Sequence, residues 1–235
     1  MKKTLILIAS LASCSLSAQA ATLWTTTFGN AAQSTATDVT LTNTGEMSGI
    51  TGTVDSLKKT LHNGGAESDC SLKTIGALGQ NSSLFTPDVN VQTNAGGSWT
   101  AGMIFTNGGA QTCSITSVTM TMISFSGEGK VQSAPKDFSL TLNIGGQMVD
   151  ATATIPGGNG STGTPVTLTF SQPIEMGAGD TLNFSVLVDK ATQTDGSFFG
   201  IKSMEFQGAL QVPEPATASL GLLGLAVLMM RRRRA

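Results

Sequence analysis

Few side chains in this chain of 235 residues are equipped for chemistry, and their spacing limits what they can do. It has one histidine, His62, beside Asn63, Gly64 and Gly65 in a loop-like stretch. A Ser-His-Asp relay needs an imidazole held on both sides, and no Gly-x-Ser-x-Gly, His-Glu-x-x-His or phosphate-loop pattern accompanies this one. Paired carboxylates for glycosidic cleavage are available by count in Glu46, Glu67, Glu128, Glu175 and Glu205. Glycosidase clefts, however, stack sugars on Trp or Tyr, and the chain has two tryptophans and no tyrosine. The expectation is therefore a protein that is not an enzyme and needs no cofactor. Trp99, following Gly97 and Ser98 at the start of a strand, is the candidate platform for a sugar ring, and Trp24 is a second. Core packing is the competing role for both rings, and the stronger one. A calcium site built from Asp180, Asp189 or Asp195 would suit hard oxygen ligation, although no fixed spacing relates the three.

The elements that must position these groups are strands. Period-two alternation recurs along the chain and long helical periodicity does not. Residues 22–27 and 38–43 read as the first two strands, with Val39 and Leu41 inward. The stretch 54–61 is the one helix candidate: Val54, Leu57 and Leu61 share a helical face, Asp55 is placed to cap, and Gly64 lies just beyond. Residues 67–97 carry a poor pattern. Residues 114–126 form a long strand whose inward set passes from Val118, Met120 and Met122 to Ile123 and Phe125, a phase slip that predicts a β-bulge. Phe138, Leu140, Leu142 and Ile144 alternate with polar residues, Gly145 and Gly146 follow, and the strand resumes at Met148, which reads as a hairpin on a two-residue primed turn. Further strands are expected around Val166 to Phe170, around Leu182 to Val188 after a Gly-Ala-Gly-Asp turn, and over 198–210. Such a series, without crossover helices, predicts an all-β antiparallel sandwich of the jelly-roll type over residues 21–211. Thr-x-Thr recurs at Thr25, Thr35, Thr40, Thr119, Thr152 and Thr167; with no fixed-period repeat these are read as the wet faces of strands.

Both ends carry targeting signals. Lys2 and Lys3, an apolar run over 4–12 and Ala18-Gln19-Ala20 read as a signal peptide over residues 1–20. Within it, Leu11-Ala12-Ser13-Cys14 resembles a lipobox, which would instead start a lipoprotein at Cys14. At the other end, Pro213-Glu214-Pro215 precedes an uncharged run over 216–230 and then Arg231, Arg232, Arg233 and Arg234. As a helix that run would span about 22 Å, short of the roughly 30 Å hydrocarbon core, so it would anchor weakly. The arginines, the only ones in the chain, would hold their end cytoplasmic. With both ends removed the body keeps seven lysines against fourteen carboxylates, a net charge of about −7, which disfavours nucleic acid and anionic membranes as partners. It also keeps two cysteines, Cys70 and Cys113, which in an oxidising compartment predicts one disulfide.

Residues 212–235 resemble the PEP-CTERM sorting signal, whose Pro-Glu-Pro, short transmembrane stretch and arginine cluster match Pro213, Glu214, Pro215 and Arg231 to Arg234. Tails of this kind have also been labelled as an ice-binding protein C-terminal domain. The resemblance implies delivery to a membrane-embedded exosortase, a partner the chain would meet through its transmembrane segment before processing, and a place at the cell surface or in the exopolysaccharide of a Gram-negative bacterium. The order of the later strands also looks loosely like carbohydrate-binding-module jelly rolls. Together these imply an exported surface or matrix protein with a structural or adhesive role; a glycan-binding module is the alternative, and a secreted glycan hydrolase the second alternative.

Overall fold

Ile144 and Gln147 face each other across a turn of Gly145 and Gly146, whose φ angles of 54° and 83° both lie in the left-handed region. That is the geometry of a primed two-residue turn, which only glycine adopts at both positions without strain. It joins β7 (Lys136–Ile144) to β8 (Gln147–Ile155) as the spacing predicts. The hairpin belongs to a computed structural model that describes residues 20–29, 41–60, 68–69, 85, 98–126, 135–156, 163–189 and 197–211. The leader, His62, Cys70, Asp195 and the whole tail from 212 lie outside the described residues.

The remaining strands are β1 (Ala21–Phe28), β2 (Leu41–Thr44), β3 (Ile50–Thr60), β4 (Ser68–Asp69), β5 (Ser98–Asn107), β6 (Thr112–Ser126), β9 (Thr164–Met176), β10 (Thr181–Asp189) and β11 (Ser197–Gln211). They form two antiparallel sheets, one ordered β2-β1-β11-β6-β9 and the other β4-β3-β5-β10-β7-β8. Alternation explains the layering: along β5 and β10 every second residue is buried, so Trp99, Ala101, Met103 and Phe105 face Leu182, Phe184, Val186 and Val188 along one surface. The five-stranded sheet packs its own apolar face against this one in a single core. Phe105 meets Trp24 and Phe206 at ring-centroid distances of 6.1 and 5.1 Å, and Phe138 meets Phe199 at 5.1 Å, each contact bridging the sheets.

Two expectations are corrected. Residues 54–61 do not form a helix; 50–60 are strand β3, paired with β5 along its length. The register steps from Val54↔Met103 to Ser56↔Gly102, so Asp55 is the extra residue of a β-bulge. The bulge restores the inward phase one residue late, and Val54 and Leu57 are both buried at a spacing of three that imitates a helical face. The phase slip in β6 also differs. Val118, Met120 and Met122 face the core, but pairing with β11 runs unbroken from Ser126 to Met122, and there Ile123 and Phe125 are buried on the opposite side. The irregularities sit at Thr116 of β6 and at Lys202 of β11.

At one end of the sandwich two connections converge on Asn107, which is fully buried. Its side-chain amide donates to the carbonyls of Gln111 (2.7 Å) and Gly177 (2.8 Å), and its oxygen accepts from the Gly109 N–H at 3.0 Å. Its main chain adds bonds to Asp180 and Gly179, tying the β5–β6 connection to the β9–β10 turn. Because β9 and β10 lie in different sheets, that turn carries the chain from one layer to the other.

Candidate functional site

The bulge in β3 also shapes the outer face of the six-stranded sheet. Ser56, Gly102, Ser185, Asn143 and Met148 are successive Cα partners across β3, β5, β10, β7 and β8, so they form one row. Four steps of about 4.8 Å give that row a length of roughly 19 Å. Gly102 is the low point. A Cβ there would lie 2.6 Å from Ser56 Oγ and 3.7 Å from an Asp55 carboxylate oxygen, so both polar groups lean over bare backbone. Asn143, Asn183 and Thr181 add amides and a hydroxyl, and with the Gly145–Gly146 tip they enclose an open depression of about 460 Å³. The whole is a polar groove with Ile104 in its lining, and exposed Met148 lies beyond it in the same row.

The tryptophans are elsewhere. Trp24 is fully buried and stacked on Phe206 (4.2 Å, 13° between planes), and Trp99 is 2 % exposed, tilted against Phe85 at 6.0 Å. Neither ring presents a face to solvent, so both take the core-packing role that the sequence favoured and neither is a sugar platform. The calcium trio does not assemble among the described residues either. Asp180 and Asp189 bracket β10, about 30 Å apart at strand rise, and Asp180 is already occupied in accepting the Gly177 N–H at 2.6 Å. Of the glutamates, Glu205 pairs across from Thr119 on one side of β6 and Glu175 across from Ser114 on the other. Five residues of strand separate those positions, about 17 Å, beyond the roughly 5–10 Å over which two carboxyls share a glycosidic bond. Glu67 and Glu128 lie outside the described residues, and Glu46 is exposed in the β2–β3 turn.

Cys113 is fully buried at the start of β6, between its pairing partners Met176 and Leu210, and among the described residues its sulfur has no disulfide partner. Desolvation, with the Glu175 carboxylate second, pushes that thiol up from 9.0 to about 11. The sign follows from the proton: the folded state holds it more tightly than the unfolded chain, so stability is present below pH 9 and is lost as pH rises towards 11. Two units correspond to roughly 2–3 kcal/mol. With Cys113 kept reduced, denaturant titrations at pH 8 and pH 11 should show this loss, and Cys113→Ala should flatten it. In folded protein at pH 8 iodoacetamide should leave Cys113 unmodified. The disulfide with Cys70 is a proposal with its own reading: alkylation of Cys113 in denaturant without reductant would refute it.

The last described strand, β11, ends at Gln211. Thr112 Oγ1 donates to its carbonyl and its side-chain oxygen at 3.3 Å each, and its amide donates to Glu175. Residues 211–234 match the PEP-CTERM protein-sorting motif, beginning on that last residue of β11. Pro213, Glu214 and Pro215 and the four arginines fall within the match, and Pro213 follows β11 by a single intervening residue. Among the described residues no helix is long and apolar enough to cross a membrane; the run 216–230 lies outside them. No curated protein matches the chain. Among solved structures, the carbohydrate-binding module TmCBM61, determined in complex with β-1,4-galactotriose, is similar at 12 % identity and a TM-score of 0.31, covering 70 % of this chain and 92 % of that one. A likeness that loose bears on neither ligand nor site.

Proposed function

We propose that the chain is an exported precursor sorted by an exosortase, and that its jelly-roll-type body serves a structural or adhesive role, without catalysis, in the exopolysaccharide layer at the cell surface. The PEP-CTERM motif carries this reading, because it begins where the last strand ends. Two prolines in three residues cannot join a sheet ladder or a helix interior, which suits a segment presented to a processing enzyme. The leader over residues 1–20 would deliver the body across the membrane, and the span 216–230 with its arginine stop would hold the precursor until cleavage. Replacing Pro213-Glu214-Pro215 by alanines should leave a membrane-retained precursor, since the span and the arginines are untouched. Intact mass decides the matter: surface product that still includes residues 216–235 would make the tail a permanent anchor and end the sorting reading.

Glycan binding is the second reading. It is favoured by the groove around Gly102, whose polar rim lies on the outer face of the six-stranded sheet.

A further inference from the structure

We infer that the depression over Gly102 binds an uncharged segment of polysaccharide, with Asp55, Asn143 and Asn183 as the groups that recognise its hydroxyls; this rests on the glycan-binding reading and assigns it a site and a ligand class. Four observations carry it. Asp55 is the bulged residue of β3, an arrangement that re-aims a side chain, and its carboxylate leans towards Gly102. Glycine in a strand interior leaves backbone open to close approach, and Gly102 lies within the row from Ser56 to Asn143, between Ser56 and Ser185. Asn143, Asn183 and Asp55 line the groove and make no side-chain hydrogen bond to any described residue, so their donors and acceptors are free for a ligand. The row then runs on to Met148, 69 % exposed, which offers an apolar contact for the C–H face of a sugar ring.

The charge on this face selects the class. Among the described residues Asp55, Asp137, Asp150 and Asp189 stand on it against Lys58. A carboxylate is an acceptor with no donor, so Asp55 takes hydrogen bonds from sugar hydroxyls or amines and repels uronates and sulfates. Each asparagine supplies both donor and acceptor, which matches a hydroxyl in either sense. Without an aromatic platform the binding is weak for one sugar and depends on several rings along the row.

The test is calorimetry on the full chain, in a detergent without a sugar headgroup, with neutral hexose tetrasaccharides and with an oligouronate of equal length. The expected result is saturable binding of at least one neutral oligomer and at least tenfold weaker binding of the uronate. Asn143→Ala and Asn183→Ala should each weaken the neutral oligomer about tenfold, at unchanged unfolding temperature, and Asp55→Asn should narrow the gap to the uronate. Binding of the neutral oligomer that is indifferent to both asparagine changes would move the glycan elsewhere and overturn this site while sparing the broader reading. Uronate bound as tightly as the neutral oligomer would overturn the ligand class, and no binding of any oligomer would overturn site and glycan reading together. The sorting reading stands on the intact mass and is untouched by each of these outcomes.

Discussion

Alanine at Trp24 is expected to lower the stability of the body by about 3–5 kcal/mol, the range for deleting a large aromatic from a close-packed core. The ring has no solvent exposure, lies flat on Phe206 at 4.2 Å and meets Phe105 at 6.1 Å, so its loss would leave a cavity where the two sheets touch. For a domain whose net stability is on the order of 5–15 kcal/mol, that is a large fraction. Trp24→Phe should cost far less. It keeps a ring to stack on Phe206, and it removes an indole N–H that is buried without an acceptor. Urea titrations of the two variants check the pair. A change below about 1 kcal/mol for Trp24→Ala, together with lost glycan binding, would restore the ring as a binding platform.

Asn107→Ala is the second large effect. Its side chain satisfies two carbonyls and one amide from two connections, β5–β6 and β9–β10, and the residue is fully buried, so water has no ready access to replace it. Leaving such groups unpaired costs about 1–3 kcal/mol each before relaxation, which sets an expected loss of about 3–5 kcal/mol. Asn107→Asp should be no milder, because a carboxylate cannot donate to the carbonyls of Gln111 and Gly177 and would be buried as a charge. Hydrogen exchange gives the local signature. Amides of Gly108, Gly109 and Gly179 should lose protection ahead of the strand centres, whereas uniform loss over both sheets would mean that Asn107 acts only through global stability.

Much of the sandwich was legible because its signals are local. The β7–β8 hairpin needs only alternating Phe138, Leu140, Leu142 and Ile144 and two glycines able to take positive φ, and both facts are written in adjacent residues. The sorting tail is likewise a linear pattern, readable without any fold. Periodicity misled where a bulge inserted one residue. Val54 and Leu57 look helical only because Asp55 is unpaired, and whether a residue is bulged depends on the partner strand β5, over forty positions away.

The sequence by itself determined most of the strands of the second half, the primed turn and the sorting-motif tail, all of which follow from backbone preferences and apolar period over a few neighbouring residues. Only the tertiary structure decided which face each amphipathic ring would take. Trp24 and Trp99 carry the same chemistry buried or exposed, and it was the packing of one sheet on the other that enclosed them. It alone decided the groove as well, since Ser56, Gly102, Ser185 and Asn143 are scattered along the chain and become neighbours only through the register of β3, β5, β10 and β7. It also parted Asp180 from Asp189, because a strand holds its two ends a full length apart, and nothing in their identity as carboxylates reports that distance.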